Sequence, residues 1–176
     1  MGSARPPKKL DSDGLWDHAL RLLGRRAHSV GELRTKLARR ADSQATLGSV
    51  VARLREYGLV DDKQFSDAFA VARLQNNGFG KFRVLRDLRG RKVSATVAEN
   101  AVAQTFAGTD EQELAAQFLQ RKYRGKNLAL FLKEEKNLAS AYRRLRTGGF
   151  SSSASMSVLK RFSRAVEEWE EPEELE

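Results

Sequence analysis

The pattern of apolar residues between His28 and Phe65 recurs twice further along the 176-residue chain, each time with different side chains. Leu33 and Leu37, followed by Leu47, Val50, Val51 and Leu54, return 51 residues later as Val84, Leu88, Ala98, Ala101, Val102 and Thr105. A further shift of 57 gives Ala141, Leu145, Ser155, Val158, Leu159 and Phe162. Each set is a pair four residues apart followed by an i, i+3, i+4, i+7 stripe, the spacing with which a helix buries one face. Two helices therefore recur in the same order. A helix ahead of them carries the signal less regularly, through Trp16, Ala19, Leu20 and Leu23, then Phe65, Ala68, Phe69 and Ala72, then Leu114, Ala115, Phe118 and Leu119. The chain reads as all-α, a tandem array of three three-helix units with a period of about 50 residues.

The spacing sets the expected boundaries: a disordered basic arm at 1–10, units at 11–60, 61–108 and 109–166, and an acidic tail at 167–176. Units of this size lie near the lower limit for independent stability, so neighbours are expected to support one another. The absence of cysteine excludes a disulfide framework and a thiolate zinc site, and suits a reducing cytoplasm. No apolar run approaches a bilayer-spanning length, and MGSARPPKKLDSDG lacks the apolar centre of a signal peptide. The expectation is a soluble cytoplasmic protein without membrane contact.

Charge narrows the partners. Residues 1–60 carry 12 Lys+Arg against 6 Asp+Glu, 61–108 carry 8 against 5, and 109–166 carry 12 against 5, whereas the last ten carry no base and 7 acids. With that tail set aside, the net charge rises from +9 to +16. Such an excess suits a polyanion or an acidic protein surface; solvated helix faces are the plainer source of the same count.

Punctuation along the chain supports the helices. Asp11 and Asp13 can cap a helix running to Gly24. Ser29 with Glu32 forms a capping box ahead of Leu33, each side chain meeting a backbone N–H of the other residue. Ser43 can cap the third helix, and Gly58 with Leu59 closes it. Asp61 and Asp62 could suggest an acid/base pair or a metal site, but Asp61 with Gln64 repeats the capping-box spacing and reads as a cap. Gly78, Phe79, Gly80 and Lys81 lack the full phosphate-loop pattern and read as a connector. From Lys81 to Gly90, with Val84 and Leu88 inward, Arg83, Arg86 and Arg89 share one outward arc. Ser94 opens the next helix, and Thr109 with Gln112 reads as the capping box of unit three. Leu128, Leu130, Phe131 and Leu132 either extend a helix or cover the end of a unit. In the helix from Glu134 to Thr147, the 57-residue shift carries Arg86 to Arg143 and Arg89 to Arg146. The last helix is expected to end near Trp169.

Reactive constellations are missing. His18 and His28 have no spacing that sets them with carboxylates on one helix face, and His28 reads as a local hydrogen-bonding or solvent-exposed residue. Ser151 to Ser153 lie in a turn with no histidine nearby in sequence. The chain is expected to be no enzyme and to carry no cofactor or metal.

The runs ALRLLGRRAHSVGELRTKL, VVARLREYGLVDDKQFSDAFA and GKFRVLRDLRGRKVS, with the TGGFSSS turn into a last helix, resemble the RecX regulatory proteins of bacteria over about residues 13–166. Arg26, Ser29, Glu32, Leu33 and Leu37, then Leu54, Gly58, Leu59, Asp61, Asp62 and Phe65, carry the resemblance through their order and spacing. Gly148 departs from it, standing where the family commonly has an arginine before Gly-Phe. The resemblance implies an elongated, curved, solenoid-like monomer lying in the groove of the RecA filament on DNA. There it would modulate RecA in DNA repair, homologous recombination and the SOS response, most often by inhibiting ATPase, coprotease and strand exchange. The residues expected to bind RecA and single- or double-stranded DNA are Arg83, Arg86, Arg89, Arg91, Lys92, Arg143, Arg144 and Arg146. A second set is Arg25, Arg26, Arg34, Lys36, Arg39 and Arg40. The alternative is a sequence-independent DNA- or RNA-binding helical protein acting without RecA. A further expectation is that the acidic tail folds back on the basic face.

Overall fold

A computed structural model describes residues 8–162. Ten α-helices follow one another in the described residues: α1 Ser12–Leu23, α2 Val30–Ala38, α3 Gln44–Glu56, α4 Asp62–Ala72, α5 Lys81–Gly90, α6 Ala95–Thr105, α7 Glu111–Lys122, α8 Leu128–Phe131, α9 Glu135–Gly148 and α10 Ser152–Phe162. A π-helical turn, Arg73–Asn77, continues α4. The one extended pairing among these residues is an isolated parallel bridge between Leu10 and Ala41. The fold is all-α, and its helices repeat as the spacing predicts. Most of the expected terminal arm and the helix end near Trp169 lie outside the described residues. Leu10, assigned to the arm, is half-buried and fastened to the strip after α2: its N–H donates to Arg40 O at 2.7 Å, and its carbonyl accepts from Asp42 N at 3.0 Å.

The repeat is a burial code. Leu33, Leu37, Leu47, Val50, Val51 and Leu54 are all buried, as are Val84, Leu88, Ala98, Ala101 and Val102, and Ala141, Leu145, Val158 and Leu159. Ser155 is buried too, its hydroxyl donating to Ser151 O at 2.7 Å. Thr105 and Phe162, the last member of each later stripe, are only partly covered. The first helices of units one and two depart from the expected stripe, whereas that of unit three keeps Ala115, Phe118 and Leu119 buried. The buried pairs of the first two are Leu15 and Ala19, then Ser66 and Ala70, while Leu20 is 39% exposed. In the first two units the aromatic members of the stripe are only partly covered. Trp16 lies under the Arg53 guanidinium at 4.1 Å and edge-on to Tyr57 at 5.8 Å, and Phe65 stacks on Phe69 at 5.9 Å.

The described residues divide into two compact bodies, 8–69 with Asp87–Ala101, and Ala70–Arg86 with 102–162. In the first, α1, α2 and α3 pack on one another around Leu15, Ala19, Leu33, Leu37, Leu47, Val50 and Leu54. In the second, α7, α9 and α10 enclose Ala115, Phe118, Leu119, Ala141, Leu145, Phe150 and Leu159. The connector after α7 covers this core: α8 brings in Leu128 and is followed by Leu132, both buried, with Phe131 against Tyr123 at 4.9 Å. Leu130 points outward.

Caps place most helix starts. Asp11 accepts from Gly14 N at 2.9 Å, Ser43 from Thr46 N at 3.1 Å, and Asp61 from Lys63 N and Gln64 N at 2.7 and 3.1 Å. After α3, Gly58 adopts φ +65°, with Gly58 N bonding Arg55 O and Leu59 N bonding Leu54 O, both at 2.9 Å. This is the Schellman closure, which needs a left-handed residue. Unit three is a correction. Asp110, not Thr109, caps α7, its Oδ1 accepting from Gln112 N and Glu113 N at 2.9 and 3.2 Å. An ionised carboxylate at a helix N-terminus gains from the dipole as well as the hydrogen bonds, an advantage a hydroxyl lacks.

Candidate nucleic-acid interface

The first body uses many of its cations on itself. Ser29 Oγ accepts from Glu32 N at 3.0 Å, which is one half of the expected capping box, and donates to the Arg91 carbonyl. Glu32 does not return the bond. Its carboxylate pairs with Arg26 at 2.5 Å and Arg91 at 3.4 Å, and lies 3.2 Å from His28 Nδ1. Asp62 accepts from Val30 N at 2.8 Å and so serves the first turn of α2. The hydrogen bond from Arg26 draws the Glu32 pKa down to about 2, against burial, which acts the other way. His28, with a side chain only 2% exposed, is buried rather than solvent-exposed; burial and the nearby Arg26 charge lower its pKa, while Glu32 opposes them.

Gly31 completes this fastening. A Cβ there would stand 2.8 Å from Lys92 Cβ, and Lys92 itself holds φ +62° with its ammonium on Thr35 Oγ1 at 2.9 Å. Arg89 pairs with Glu99 at 3.0 Å. Arg26, Arg89, Arg91 and Lys92 thus have partners within the body. Arg25, Arg34 and Arg39 are exposed, Lys36 and Arg40 half-buried, with Arg40 Nε on Lys8 O at 3.1 Å.

The second body builds a different arrangement. The turn after α9 and the loop before α5 meet backbone to backbone: Gly80 N donates to Gly148 O at 2.9 Å, and Phe82 N to Gly149 O at 3.2 Å. Gly149 has φ +93°, and a Cβ there would lie 2.7 Å from Gly80 O, so neither sterics nor backbone geometry admits a side chain. The junction brings α5 to the C-terminal end of α9. Arg83 Nη1 and Arg86 Nη2 reach the Thr147 carbonyl at 3.3 and 3.4 Å, and Arg146 Nη1 donates to Phe150 O at 2.9 Å. Cations at these terminal carbonyls complement the helix dipole. Arg146, expected on the outward face with Arg143, is therefore half-buried in the turn it closes.

Beside this junction lies a cleft of about 440 Å³, lined by Arg83, Lys122, Arg143 and Arg144 around Phe79 and Phe118. No carboxylate lines it. Arg83 sits 5.1 Å from the Phe79 ring centre and Lys122 5.4 Å from that of Phe118. Phe118 is held in turn by Phe79 and Phe150, at 6.2 and 5.3 Å. Arg144 lies 5.2 Å from Tyr123. Of the expected binding residues, the structure gathers Arg83, Arg143 and Arg144 here. Lys122 was missed: it is the last residue of α7, beside Arg121, and only the fold sets it, one turn after Phe118, opposite the arginines of α9. Among the described residues there is no group of three His, Asp or Glu side chains placed to hold a metal ion, and no helix long and apolar enough to cross a membrane.

A family model described as RecX, first three-helix domain, matches residues 16–54. The Regulatory protein RecX of Deinococcus radiodurans is 32% identical over 176 residues, covering 98% of this chain and 78% of that protein. The chain belongs to the RecX family. The Regulatory protein RecX of Chlorobium phaeobacteroides is 34% identical over 93 residues, and the match spans only 62% of that relative and 53% of this chain. The crystal structure of RecX from Lactobacillus salivarius superposes with a TM-score of 0.65 at 15% identity, covering 86% of this chain and 96% of the other, a likeness of fold. Within this chain, the matched first domain contains Ser29, Glu32, Leu33 and Leu37, all used for capping, pairing or burial. The basic cleft lies outside the matched residues.

Proposed function

We propose that this chain is a non-enzymatic regulator that binds the groove of the RecA–DNA filament in the cytoplasm and inhibits the ATPase, coprotease and strand-exchange activities of RecA. The observation that carries the reading is the cleft of the second body, where in a RecX-family chain four cations line one concavity without a carboxylate. DNA phosphates entering such a cleft release counterions, each contact adding on the order of one to the log–log salt slope. Arg83, Lys122, Arg143 and Arg144 are the primary contacts, with Arg25, Arg34 and Arg39 of the first body as exposed auxiliaries. Arg26, Arg89, Arg91 and Lys92 act through the stability of the first body, since each already has an intrachain partner.

The test is the single-strand-dependent ATPase of RecA titrated with this chain, beside Arg143→Ala/Arg144→Ala. Inhibition at fewer than one chain per RecA subunit is expected, weakened about tenfold in the variant, the loss of roughly 1.4 kcal/mol of binding. Inhibition that begins only when the protein covers the DNA would replace this reading with a sequence-independent nucleic-acid binder acting without RecA.

A further inference from the structure

The sequence that follows α10 carries a polyanion. α10 packs on α7 and α9, the helices that supply Lys122, Arg143 and Arg144 to the cleft. Near its end, Arg161 pairs with Glu113 in the first turn of α7 at 3.1 Å. From Glu113 to Lys122 the path along α7 is about 14 Å at 1.5 Å per residue. The residues from Phe162 to Glu167 span up to about 17 Å when extended. From Glu167 to Glu176 the sequence holds 7 acids and no base. Lys122, Arg143 and Arg144 have no carboxylate partner among the described residues. Reach and charge thus match this segment to the cleft.

We propose that residues 167–176 dock in the basic cleft of the second body and compete there with nucleic acid, so that the chain limits its own binding. The competition rests on the reading of the cleft as a DNA site. A short tether gives the segment a millimolar effective concentration. With an intrinsic dissociation constant of about 1 mM, it weakens oligonucleotide binding about three- to tenfold. The contact is ionic and fades at about 1 M salt, where screening acts over roughly 3 Å.

The segment carries its own reporter, Trp169, and the second tryptophan, Trp16, lies in the first body. In a full-length Trp16→Phe background, Trp169 emission and anisotropy are recorded beside binding of an oligothymidylate at about 20 mM salt, a regime of long screening length. The two comparisons are replacement of the seven glutamates by glutamine, and Arg143→Ala/Arg144→Ala. Docking predicts that either change, or high salt, lowers Trp169 anisotropy, and that the glutamine variant binds the oligonucleotide three- to tenfold more tightly, about 0.7 to 1.4 kcal/mol. Unaltered Trp169 signals, with oligonucleotide binding still lost in the arginine variant, would overturn the docking and leave the proposed function standing. A Trp169 response with oligonucleotide affinity unchanged in both variants would overturn the competition, and with it the reading of the cleft.

Discussion

Replacing Glu32 by glutamine removes one charge on which Arg26, Arg91 and His28 converge. The side chain is 17% exposed and its pKa falls from the ordinary 4.5 to about 2. That difference, at about 1.4 kcal/mol per pH unit, corresponds to about 3 kcal/mol of stability at neutral pH. Arg26 is 43% exposed and its pairing is partly screened, so about 2 kcal/mol is the figure to test. The sign follows from the direction of the change. A carboxylate whose pKa is depressed by folding contributes fully above the unfolded value, about 4.5, and its contribution is lost as pH falls towards 2. At pH 3, about two-fifths of it remains. Urea unfolding of the Glu32→Gln pair in a His28→Asn background, which removes the neighbouring histidine titration, should show a midpoint loss of about 1 M at pH 7 for a slope of about 2 kcal/mol per M. The loss should shrink to less than half by pH 3. An equal loss at both values would mean that Glu32 acts by shape rather than charge, and no loss at pH 7 would refute the fastening role.

Two further stability tests follow from the backbone. Gly149→Ala should cost at least about 2 kcal/mol, because φ is +93° and the added carbon meets Gly80 O at 2.7 Å, whereas Gly48→Ala, in α3 with open space around the new carbon, should stabilise by about 0.5 to 1 kcal/mol. Thermal melts of the two variants check both signs. Asp110→Ala should cost about 1 kcal/mol and Thr109→Ala close to nothing, since only the former removes the cap of α7; equal effects in chemical denaturation would restore Thr109 as the capping residue.

The second and third helices of each unit were legible because nearly every member of their stripes is an aliphatic or small side chain whose one energetic preference is burial. The first helices were harder to read. Trp16 and Phe65 have apolar surface large enough to satisfy at a rim, by stacking on Tyr57 or Phe69, and this masks the true inward pairs. Ser66 hides the middle pair altogether, being a polar residue at a buried position. For the candidate site, spacing singled out Arg83 and Arg143 but could not tell them from Arg89 or Arg146, and Arg144 stood only in the list of expected binding residues given with the family resemblance. The discriminating information lies in remote partners: Glu99 ten residues from Arg89, and the Phe150 carbonyl produced by a turn. Lys122 became visible only when α7 and α9 were side by side.

The residues by which the chain is recognised at α2, Ser29, Glu32 and Asp62, are joinery: a cap, a clamp and a tie. A descendant could therefore exchange Lys122, Arg143 and Arg144 for neutral residues and still display the family signature intact. Kinship read from the first domain certifies the scaffold alone, and the basic cleft of the second body is free to vary beneath it.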